Sequence, residues 1–346
     1  MEKRVTIYDI AKAVDVSVAT VSRVLSNSSY PVSPELKRKI KAAAKELGYR
    51  PNMIGRQLKT NNSMTIGVII PSISNPFYAN VVLGIEEIAR RSGYHVLLCN
   101  SQHSPELEAE YLQTLFDKQV KGIIISSISE QKDLINEYIS KGLIVISIDQ
   151  TIDNPDVYQI GFDYKKGGYL ATKYLIENGH RKIAYVTAPM NRPSRHDIFK
   201  GYQEALLESG ITLQEGWLQE SALDDIEYQG NAYEFRNGRE LVRKLLDLDD
   251  RPTAILACND LTALGIINEL HFQGVEVPNQ ISVIGFDNIE LSQMVVPSLT
   301  TIDHPKLEMG RFACNLLLDM VNSKPIALKE IILQPKLIIR NSTSRN

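Results

Sequence analysis

Polar and aromatic side chains recur near the apolar runs of this sequence, where they could bind a small molecule. The runs are "GVII", "LIVISI", "AILAC" and "VIGF", and the candidates are Ser72, Ser74, Asn75, Phe77, Tyr78, Asp149, Tyr233, Asn259, Asp260, Asp287 and Asn288. Carboxylates and amides pair with hydroxyl groups, and aromatic rings cover the apolar face of a sugar ring. The set predicts a site for a neutral polyhydroxyl ligand, although each polar residue taken singly could equally cap a helix or form a turn.

Motifs typical of enzymes are missing from the sequence. It has no GxSxG elbow, no GxxxxGKS or GxxxxGKT loop, no HExxH and no GxGxxG after an apolar run, so no common catalytic or nucleotide framework is visible. Cys99, Cys258 and Cys314 are far apart in apolar surroundings, and the six histidines are scattered, which indicates reduced thiols and no metal site. We therefore predict a binding protein without catalytic residue, metal or cofactor. An enzyme on the same scaffold is the alternative.

The elements that must position the ligand candidates begin at Met64. From there, apolar runs such as "TIGVII", "KGIIIS", "KIAYVT" and "SVIGF" alternate with amphipathic segments. This alternation is typical of parallel sheets covered on both faces by helices. The segment is long enough for two such sheets with a cleft between them. Because ligands of doubly wound sheets bind beyond the carboxyl ends of the strands, we expect the candidates to meet in that cleft.

Charge is distributed unevenly along the chain. The formal net charge of the 346 residues is −3, but residues 1–60 contain 12 Lys and Arg against 5 Asp and Glu, which leaves −10 for the rest. A basic N-terminal module on an acidic body is the electrostatic pattern of a nucleic-acid-binding head. A solvated basic face that binds nothing is the alternative.

The basic module reads as three short helices, each preceded by a capping residue. The caps are Thr6 before "IYDIAKAV", Ser17 before "VATVSRVL" and Ser33 before "PELKRKIKAAAKEL", and such residues accept hydrogen bonds from the first backbone amides of a helix. Only Asp15 and Val16 separate the first two helices. Helices joined so tightly must cross steeply, which predicts a helix-turn-helix arrangement.

A short segment follows these helices. Pro51 ends the third helix, Asn52 could cap one or two further helical turns in "MIGRQLKTNNS", and Lys59 to Ser63 reads as a polar linker. The sequence thus divides into a head over 1–50, a hinge and linker over 51–62, and a body over 63–346.

Seven separated stretches can now be read together. They are "TIYDIAKAVDVSVATVSRVL", "KELGYRPN", "NPFY", "NGHRKIAYV", "ACNDLTALG", "VIGFDN" and "PSLTTI". From Val5 to Thr343 the chain resembles the lactose repressor (LacI) family of bacterial transcription regulators, in the branch near catabolite control proteins and pentose or disaccharide repressors. The resemblance implies an α/β protein: an all-α helix-turn-helix head plus a hinge helix, joined to a two-subdomain doubly wound body like periplasmic sugar-binding proteins. It implies an N-subdomain over about 63–161 and 292–324, and a C-subdomain over about 162–291 and 325–342.

The resemblance also implies DNA contacts. The helix from Ser17 to Leu25 would be the recognition helix, with Val18 and Ala19 facing base edges in the major groove. Leu58 would enter the minor groove as a wedge, although it could instead be plain helix core. The full set of implied DNA-binding residues is Thr6, Tyr8, Ser17, Val18, Ala19, Thr20, Ser22, Arg23, Ser33, Tyr49, Asn52, Gly55 and Leu58.

Two positions depart from the family pattern. The hinge has Gly55 where the family often has Ala, which costs on the order of 1 kcal/mol of helix propensity. Ile198 stands where many sugar-binding members have an Arg that grips the ligand. Either Arg192 or Arg195 substitutes for that Arg, or the effector lacks the usual contact, and a solvated loop is the further alternative. Ser194, between them, is also expected among the effector contacts.

The resemblance implies a homodimeric, sequence-specific repressor of carbohydrate-utilisation genes. Its partners would be a palindromic operator DNA and a small sugar or sugar-phosphate effector in the cleft. The alternative is a global regulator driven by a phosphocarrier protein corepressor. A transport or chemosensing protein would share the body but lack the basic head and need a signal peptide. No apolar run approaches a membrane span of ~18 residues, and no signal peptide is visible, so we expect a cytoplasmic protein that does not contact a membrane.

Overall fold

The computed structural model describes residues 5–26, 30–49, 63–128, 132–221, 233–326 and 328–346. The chain forms two compact units, Met1–Asn62 and Ser63–Asn346. The expected hinge helix, with Asn52, Gly55 and Leu58, lies outside the described residues.

The first unit contains the three expected helices, α1 (Ile7–Val14), α2 (Val18–Leu25) and α3 (Pro34–Glu46). The caps are formed as the sequence indicates: Ser17 Oγ accepts from the backbone N–H of Thr20 at 3.2 Å, and Ser33 Oγ accepts from that of Leu36 at 3.3 Å. Ile10, Val21 and Ile40 are completely buried at the centre of this unit. One apolar residue from each helix thus builds a small common core.

The second unit begins with a six-stranded parallel sheet in the order β11-β5-β4-β3-β1-β2. Its strands are β1 (Thr65–Ile70), β2 (His95–Asn100), β3 (Gly122–Ile125), β4 (Ile144–Ile148), β5 (Tyr158–Phe162) and β11 (Glu330–Leu333). Its helices are α4 (Pro76–Arg91), α5 (Pro105–Asp117), α6 (Lys132–Ser140) and α12 (Lys306–Val321). These elements form the N-subdomain.

A second six-stranded sheet, in the order β12-β10-β9-β8-β6-β7, forms the C-subdomain. Its strands are β6 (Ile183–Thr187), β7 (Leu218–Glu220), β8 (Ala254–Ala257), β9 (Ser282–Asp287), β10 (Thr300–Asp303) and β12 (Lys336–Ile338). Its helices are α7 (Tyr164–Glu177), α8 (Pro193–Glu208), α9 (Tyr233–Leu246), α10 (Asp260–Phe272) and α11 (Leu291–Met294). Only β12 runs antiparallel to its neighbour among these paired strands. The expected two-subdomain α/β architecture is confirmed.

Two of the expected subdomain segments must be corrected. The segment 292–324 was expected in the N-subdomain, but its strand β10 pairs with β9 of the second sheet. The segment 325–342 was expected in the C-subdomain, but its strand β11 pairs with β5 of the first sheet. The chain therefore crosses between subdomains after β5, after β10 and between β11 and β12, because backbone pairing rather than hydrophobic pattern decides which sheet a short strand joins.

Helices α4 and α12 approach each other unusually closely in the N-subdomain. A Cβ atom on Gly84 would lie 2.2 Å from the backbone oxygen of Leu307, and one on Gly310 would lie 2.1 Å from that of Val81. This close packing holds the returning segment of the chain against the first subdomain. None of the helices in the described ranges is both long and apolar enough to cross a membrane.

Candidate functional site

A cavity of about 60 Å³ lies between the two subdomains of the body. Nine of the sequence candidates line it: Asn75, Phe77, Tyr78, Asp149, Arg192, Ser194, Arg195, Asn259 and Asp287. Six further residues line it that sequence reasoning did not select: Gln150, Tyr164, Ile198, Glu234, Cys258 and Phe286. The carboxyl ends of the strands therefore meet at a polar site, as expected for this architecture.

The Asp149 carboxylate at the cavity accepts four hydrogen bonds. Asp149 follows β4 with φ of 64°, a conformation uncommon for a residue with a side chain. Its carboxylate accepts hydrogen bonds from Tyr78 Oη at 2.8 Å, Ser126 Oγ at 3.2 Å and Gln150 Nε2 at 2.9 Å. Tyr164 Oη, at the start of α7 in the other subdomain, donates to the second carboxylate oxygen. Asp149 therefore connects the two subdomains.

The two tyrosines beside Asp149 remain hydroxyl donors. Burial raises the pKa of the Tyr78 phenol well above its ordinary value, and the neighbouring Asp149 carboxylate raises it further. The same two causes, in the same order, raise the pKa of Tyr164. Neither phenol ionises near neutral pH, so both keep their hydrogen bonds to Asp149.

Glu234 spans the cleft between two asparagine side chains. Its Oε2 accepts from Asn75 Nδ2 at 3.1 Å, and its Oε1 accepts from Asn259 Nδ2 at 2.7 Å. The Oδ1 atoms of both asparagines accept from the first turns of α4 and α10 and so cap these helices. Each of the two asparagine side chains thus caps a helix and also binds Glu234 in the cleft.

Two further hydrogen bonds cross the cleft. Gln150 Nε2 donates to Ser194 Oγ at 3.1 Å, and Arg192 Nη2 lies 2.6 Å from His103 Nδ1. Arg195 lines the cavity from the first turn of α8, and its Nη1 donates to the backbone oxygen of Pro189 at 2.7 Å. Arg192, at the N-cap of α8, and Ser194 and Arg195, in its first turn, thus line the cavity beside the buried Ile198.

Asp287 ends β9 with its carboxyl group toward the cavity. Burial raises the pKa of this group well above its ordinary value, and repulsion from Asp260 raises it further. His304 Nδ1 lies 3.7 Å from Asp287 Oδ1. The buried His304 ring is stacked on Phe162, with 3.9 Å between centroids, and burial lowers its pKa well below the ordinary value.

Five candidates do not line the cavity, namely Ser72, Ser74, Tyr233, Asp260 and Asn288. Asp260 has a structural role instead, because its buried carboxylate accepts from Ile289 N at 2.8 Å, Ser292 Oγ at 2.5 Å and Thr301 Oγ1 at 2.5 Å. Asn288 donates to Asp303 Oδ1 at 2.7 Å and accepts from Arg340 Nη2 at 2.7 Å. Both residues organise the loop after β9 rather than the cavity surface.

Some of the cavity residues that sequence reasoning missed could have been found from the sequence, and others could not. Gln150 directly follows Asp149, and Tyr164 follows the end of β5, so a search after every strand would have found both. Glu234 lies in the first turn of α9 and follows no strand. Its position in the cleft depends on how α9 packs, which no local pattern indicates.

The head places its candidate DNA contacts on or near its surface. Thr6, Tyr8, Ser17, Ala19, Arg23 and Ser33 are exposed, and Val18, Thr20, Ser22 and Tyr49 are half-buried. The Ser17 and Thr20 hydroxyls are 2.8 Å apart, and the Arg23 guanidinium lies 4.0 Å from the centroid of the Tyr30 ring. The exposed part of α2 thus combines small hydroxyl groups with one positioned cation.

A three-helix head on a two-subdomain body with a polar cleft defines the class of ligand-responsive DNA-binding regulators. Residues 6–52 match the family model "Bacterial regulatory proteins, lacI family", and residues 63–341 match "Periplasmic binding proteins and sugar binding domain of LacI family". The chain belongs to the LacI family.

Curated relatives cover nearly the whole chain. The HTH-type transcriptional repressor PurR of Mannheimia succiniciproducens is 34% identical over 98% of this chain and 99% of its own length. Catabolite control protein A of Priestia megaterium is 36% identical with the same coverage. The chain is therefore a LacI-family DNA-binding transcriptional repressor with a sugar-binding domain, and its relatives are repressors rather than enzymes.

Solved structures agree with this assignment. The Lac repressor dimer bound to operator and the anti-inducer ONPF has a TM-score of 0.87 and 28% identity over 99% of this chain and 100% of that one. A LacI family regulator from Enterococcus faecium with bound ribose has a TM-score of 0.72 and 31% identity over 82% of this chain and 99% of that one.

Proposed function

We propose that this protein is a homodimeric repressor of carbohydrate-utilisation genes whose affinity for a palindromic operator changes when a small sugar or sugar phosphate binds in the cleft. The observation that carries the proposal is the hydrogen-bonded bridge from Asn75 through Glu234 to Asn259, which joins both subdomains at the cavity. A ligand that replaces or extends this bridge changes how the subdomains close. The cavity residues listed above are its proposed contacts.

The head is proposed to read DNA through α2. Val18 and Ala19 contact thymine methyl groups, Ser17, Thr20 and Ser22 contact phosphates or bases, and Arg23 supplies charge. Thr6, Tyr8, Ser33 and Tyr49 complete the set from the described residues, and Asn52, Gly55 and Leu58 from the hinge. Two heads are needed because one buries too little surface for useful specificity, and paired heads read a palindrome.

Thermodynamic linkage couples the effector site in the cleft to the DNA-binding site of the head. An effector that binds one cleft conformation more tightly shifts the body toward it, and the reciprocal effect changes effector affinity when DNA binds. The proposed hinge over 51–62 transmits the change to the head, with the head over 1–50 and the body over 63–346 as separate domains.

Fluorescence anisotropy of the full chain on labelled near-palindromic duplexes tests the proposal. We expect clear preference for one duplex over random DNA at physiological salt, and a change of that affinity on adding a sugar found by thermal-shift screening, since ligands that bind only the folded state raise its melting temperature. Equal affinity for random and palindromic DNA would contradict the proposal.

A phosphocarrier protein as corepressor is the second candidate. Exposed Leu83 on α4 and Phe312 on α12 offer apolar contacts, and Arg90 and Arg91 at the end of α4 offer charge for a phosphate. The similarity to a catabolite control protein also supports it. If the phosphocarrier protein raises operator affinity, Phe312→Asp abolishes that effect, and no sugar binds, this candidate replaces the first.

A further inference from the structure

A second cavity, of about 270 Å³, lies where the chain crosses from β10 back to the N-subdomain. We term it the crossover cavity, and its described lining shares no residue with that of the cleft cavity. A single water needs only about 10–15 Å³, so a small organic molecule fits. The polar part of the lining includes Asn80, Asn288, Asp303, His304, Lys306 and Arg340.

Both subdomains build the crossover cavity. Asn80 on α4 and Leu307 on α12 belong to the N-subdomain, whereas Asp303 ends β10 and Asn288 follows β9 in the C-subdomain. A ligand that contacts both walls favours one relative position of the two subdomains, because it binds that position more tightly. The cavity is therefore placed where a bound molecule can affect the closure of the body.

Two opposite charges in the crossover cavity are joined through an asparagine. Asn288 Nδ2 donates to Asp303 Oδ1 at 2.7 Å, and Arg340 Nη2 donates to Asn288 Oδ1 at 2.7 Å. Among the described residues, Asp303 and Arg340 thus meet through this amide rather than in a direct ion pair. The amide keeps a carboxylate and a guanidinium in one cavity without neutralising either.

Both charged groups keep hydrogen-bonding capacity. A guanidinium has five N–H groups, and Arg340 uses one on Leu299 O, at 2.8 Å from Nη1, and one on Asn288. Asp303 Oδ2 accepts from none of the residues that the structure describes. Arg340 can therefore bind an anionic group and Asp303 a cationic group while both keep their contacts to the protein.

His304 provides an independent sign of a ligand. It lines the crossover cavity, its side chain is completely buried, and neither ring nitrogen has a hydrogen-bond partner within the described ranges. Burial lowers the pKa of the ring well below its ordinary value, and Lys306 lowers it further, so the ring is neutral, with one donor and one acceptor. Buried polar groups almost always have partners, which points to a partner from outside the chain.

The remaining charges of the crossover cavity nearly balance. Lys306 Nζ donates to three backbone oxygens, at 2.7 Å, 2.7 Å and 3.4 Å. Together with Arg340 it faces the carboxylates of Asp303 and of the exposed Glu290 and Glu308. A ligand with several charges of one sign would be repelled by one half of this set. The balance favours a molecule that carries one charge of each sign.

We propose that the crossover cavity binds a small zwitterion of the α-amino-acid class, with its carboxylate on Arg340 and its ammonium group on Asp303. Charge-assisted hydrogen bonds at both ends select such a molecule over one that carries a single charge. His304 offers it a further donor or acceptor. The site is separate from the sugar site of the proposed function, so neither proposal depends on the other.

Matched derivatives test the proposal in the full chain. Each proteinogenic amino acid is screened at millimolar concentration by thermal shift, since a ligand of the folded state raises its melting temperature. The amino acid with the largest shift is titrated by calorimetry beside its α-carboxamide, which lacks the carboxylate, and its N-acetyl derivative, which lacks the ammonium group. We expect each derivative to bind at least about tenfold more weakly. The proposal is wrong if no amino acid binds, or if either derivative binds as tightly as its parent.

Isosteric variants assign each charge to its residue. Asp303→Asn should weaken binding of the amino acid about tenfold and reduce its advantage over the N-acetyl derivative. Arg340→Gln should reduce its advantage over the carboxamide in the same way. Asp249→Asn and Arg251→Gln, at exposed positions outside both cavity linings, are the matched controls and should leave the Kd unchanged. Wild-type affinity in both cavity variants would overturn the proposal.

A cleft variant distinguishes the two cavities. Tyr78→Phe removes one hydroxyl group from the cleft cavity and should leave the Kd of the amino acid unchanged. Loss of amino-acid binding in Tyr78→Phe, together with unchanged binding in Asp303→Asn, would place the ligand in the cleft and overturn the proposal. If Arg340→Gln does not fold, which circular dichroism would show, the wild-type ratios between parent and derivatives still decide the matter.

Discussion

Asn75 and Glu234 are hydrogen-bonded across the cleft, with 3.1 Å between Asn75 Nδ2 and Glu234 Oε2. The other end of the same amide, Oδ1, accepts from the backbone N–H of Phe77 at 2.9 Å and caps α4. One side chain therefore begins a helix of the N-subdomain and holds the C-subdomain. Substitutions can separate these two roles.

Asn75→Asp should keep the cap and lose the bridge. One carboxylate oxygen still accepts from Phe77, but the other faces the Glu234 carboxylate and repels it. We expect thermal stability close to wild type and sugar affinity lowered roughly tenfold, or about 1.4 kcal/mol, as measured by calorimetric titration. Asn75→Ala should lose both the helix cap and the bridge to Glu234, and its unfolding free energy should fall by about 1 kcal/mol. Wild-type sugar affinity in Asn75→Asp would show that the bridge does not matter for binding.

Asp260 should make stability depend on pH. Burial raises its pKa from 3.8 to about 6, despite hydrogen bonds that lower it. Between these values the folded protein binds more protons than the unfolded one, so this group reduces stability as pH rises from about 4 to 6, by about 3 kcal/mol in total. Urea unfolding at a series of pH values measures the slope. Asp260→Asn should flatten this contribution, and an unchanged slope would contradict the assignment.

Gly84 should not tolerate a side chain. A methyl group there would lie 2.2 Å from the Leu307 backbone oxygen, so α4 and α12 must move apart. Overpacking of this kind typically costs about 1–3 kcal/mol, and we expect Gly84→Ala to lower the unfolding free energy by that amount. At Gly161 the nearest heavy atom would be 4.0 Å away, so Gly161→Ala is the matched control. Equal stability of the two variants would contradict the close packing.

Substitutions of Val18 and Ala19 should change which DNA sequence the head prefers more than they change its electrostatic attraction to the DNA backbone. Exchanging both for Gln and Asn should shift the preferred operator, because neither original side chain can donate a hydrogen bond to a base. The salt dependence of binding should stay nearly unchanged. Arg23→Ala, in contrast, should reduce the slope of log affinity against log salt by about 1 if Arg23 contacts a phosphate. A collapse of all binding in the Val18 and Ala19 variant, with the helices intact by circular dichroism, would argue against this division.

Local sequence determined the elements of this protein. Capping residues such as Ser17 and Ser33 set where head helices begin, and apolar runs set the strands, because capping and hydrophobic burial depend on neighbours a few residues away. The same logic placed Asn75, Asp149, Asn259 and Asp287 at strand ends and so at one cleft. Family membership likewise followed from motifs in order along the chain.

Tertiary structure decided what depends on distant packing. The sheet that β10 and β11 join, the role of Asp260 within a loop and the position of Glu234 between Asn75 and Asn259 all involve partners far away in sequence. No periodicity encodes such pairings, since a strand or a carboxylate has the same local pattern whichever partner it meets. The sugar binding proposed for the cleft therefore rests on contacts that only the folded chain contains.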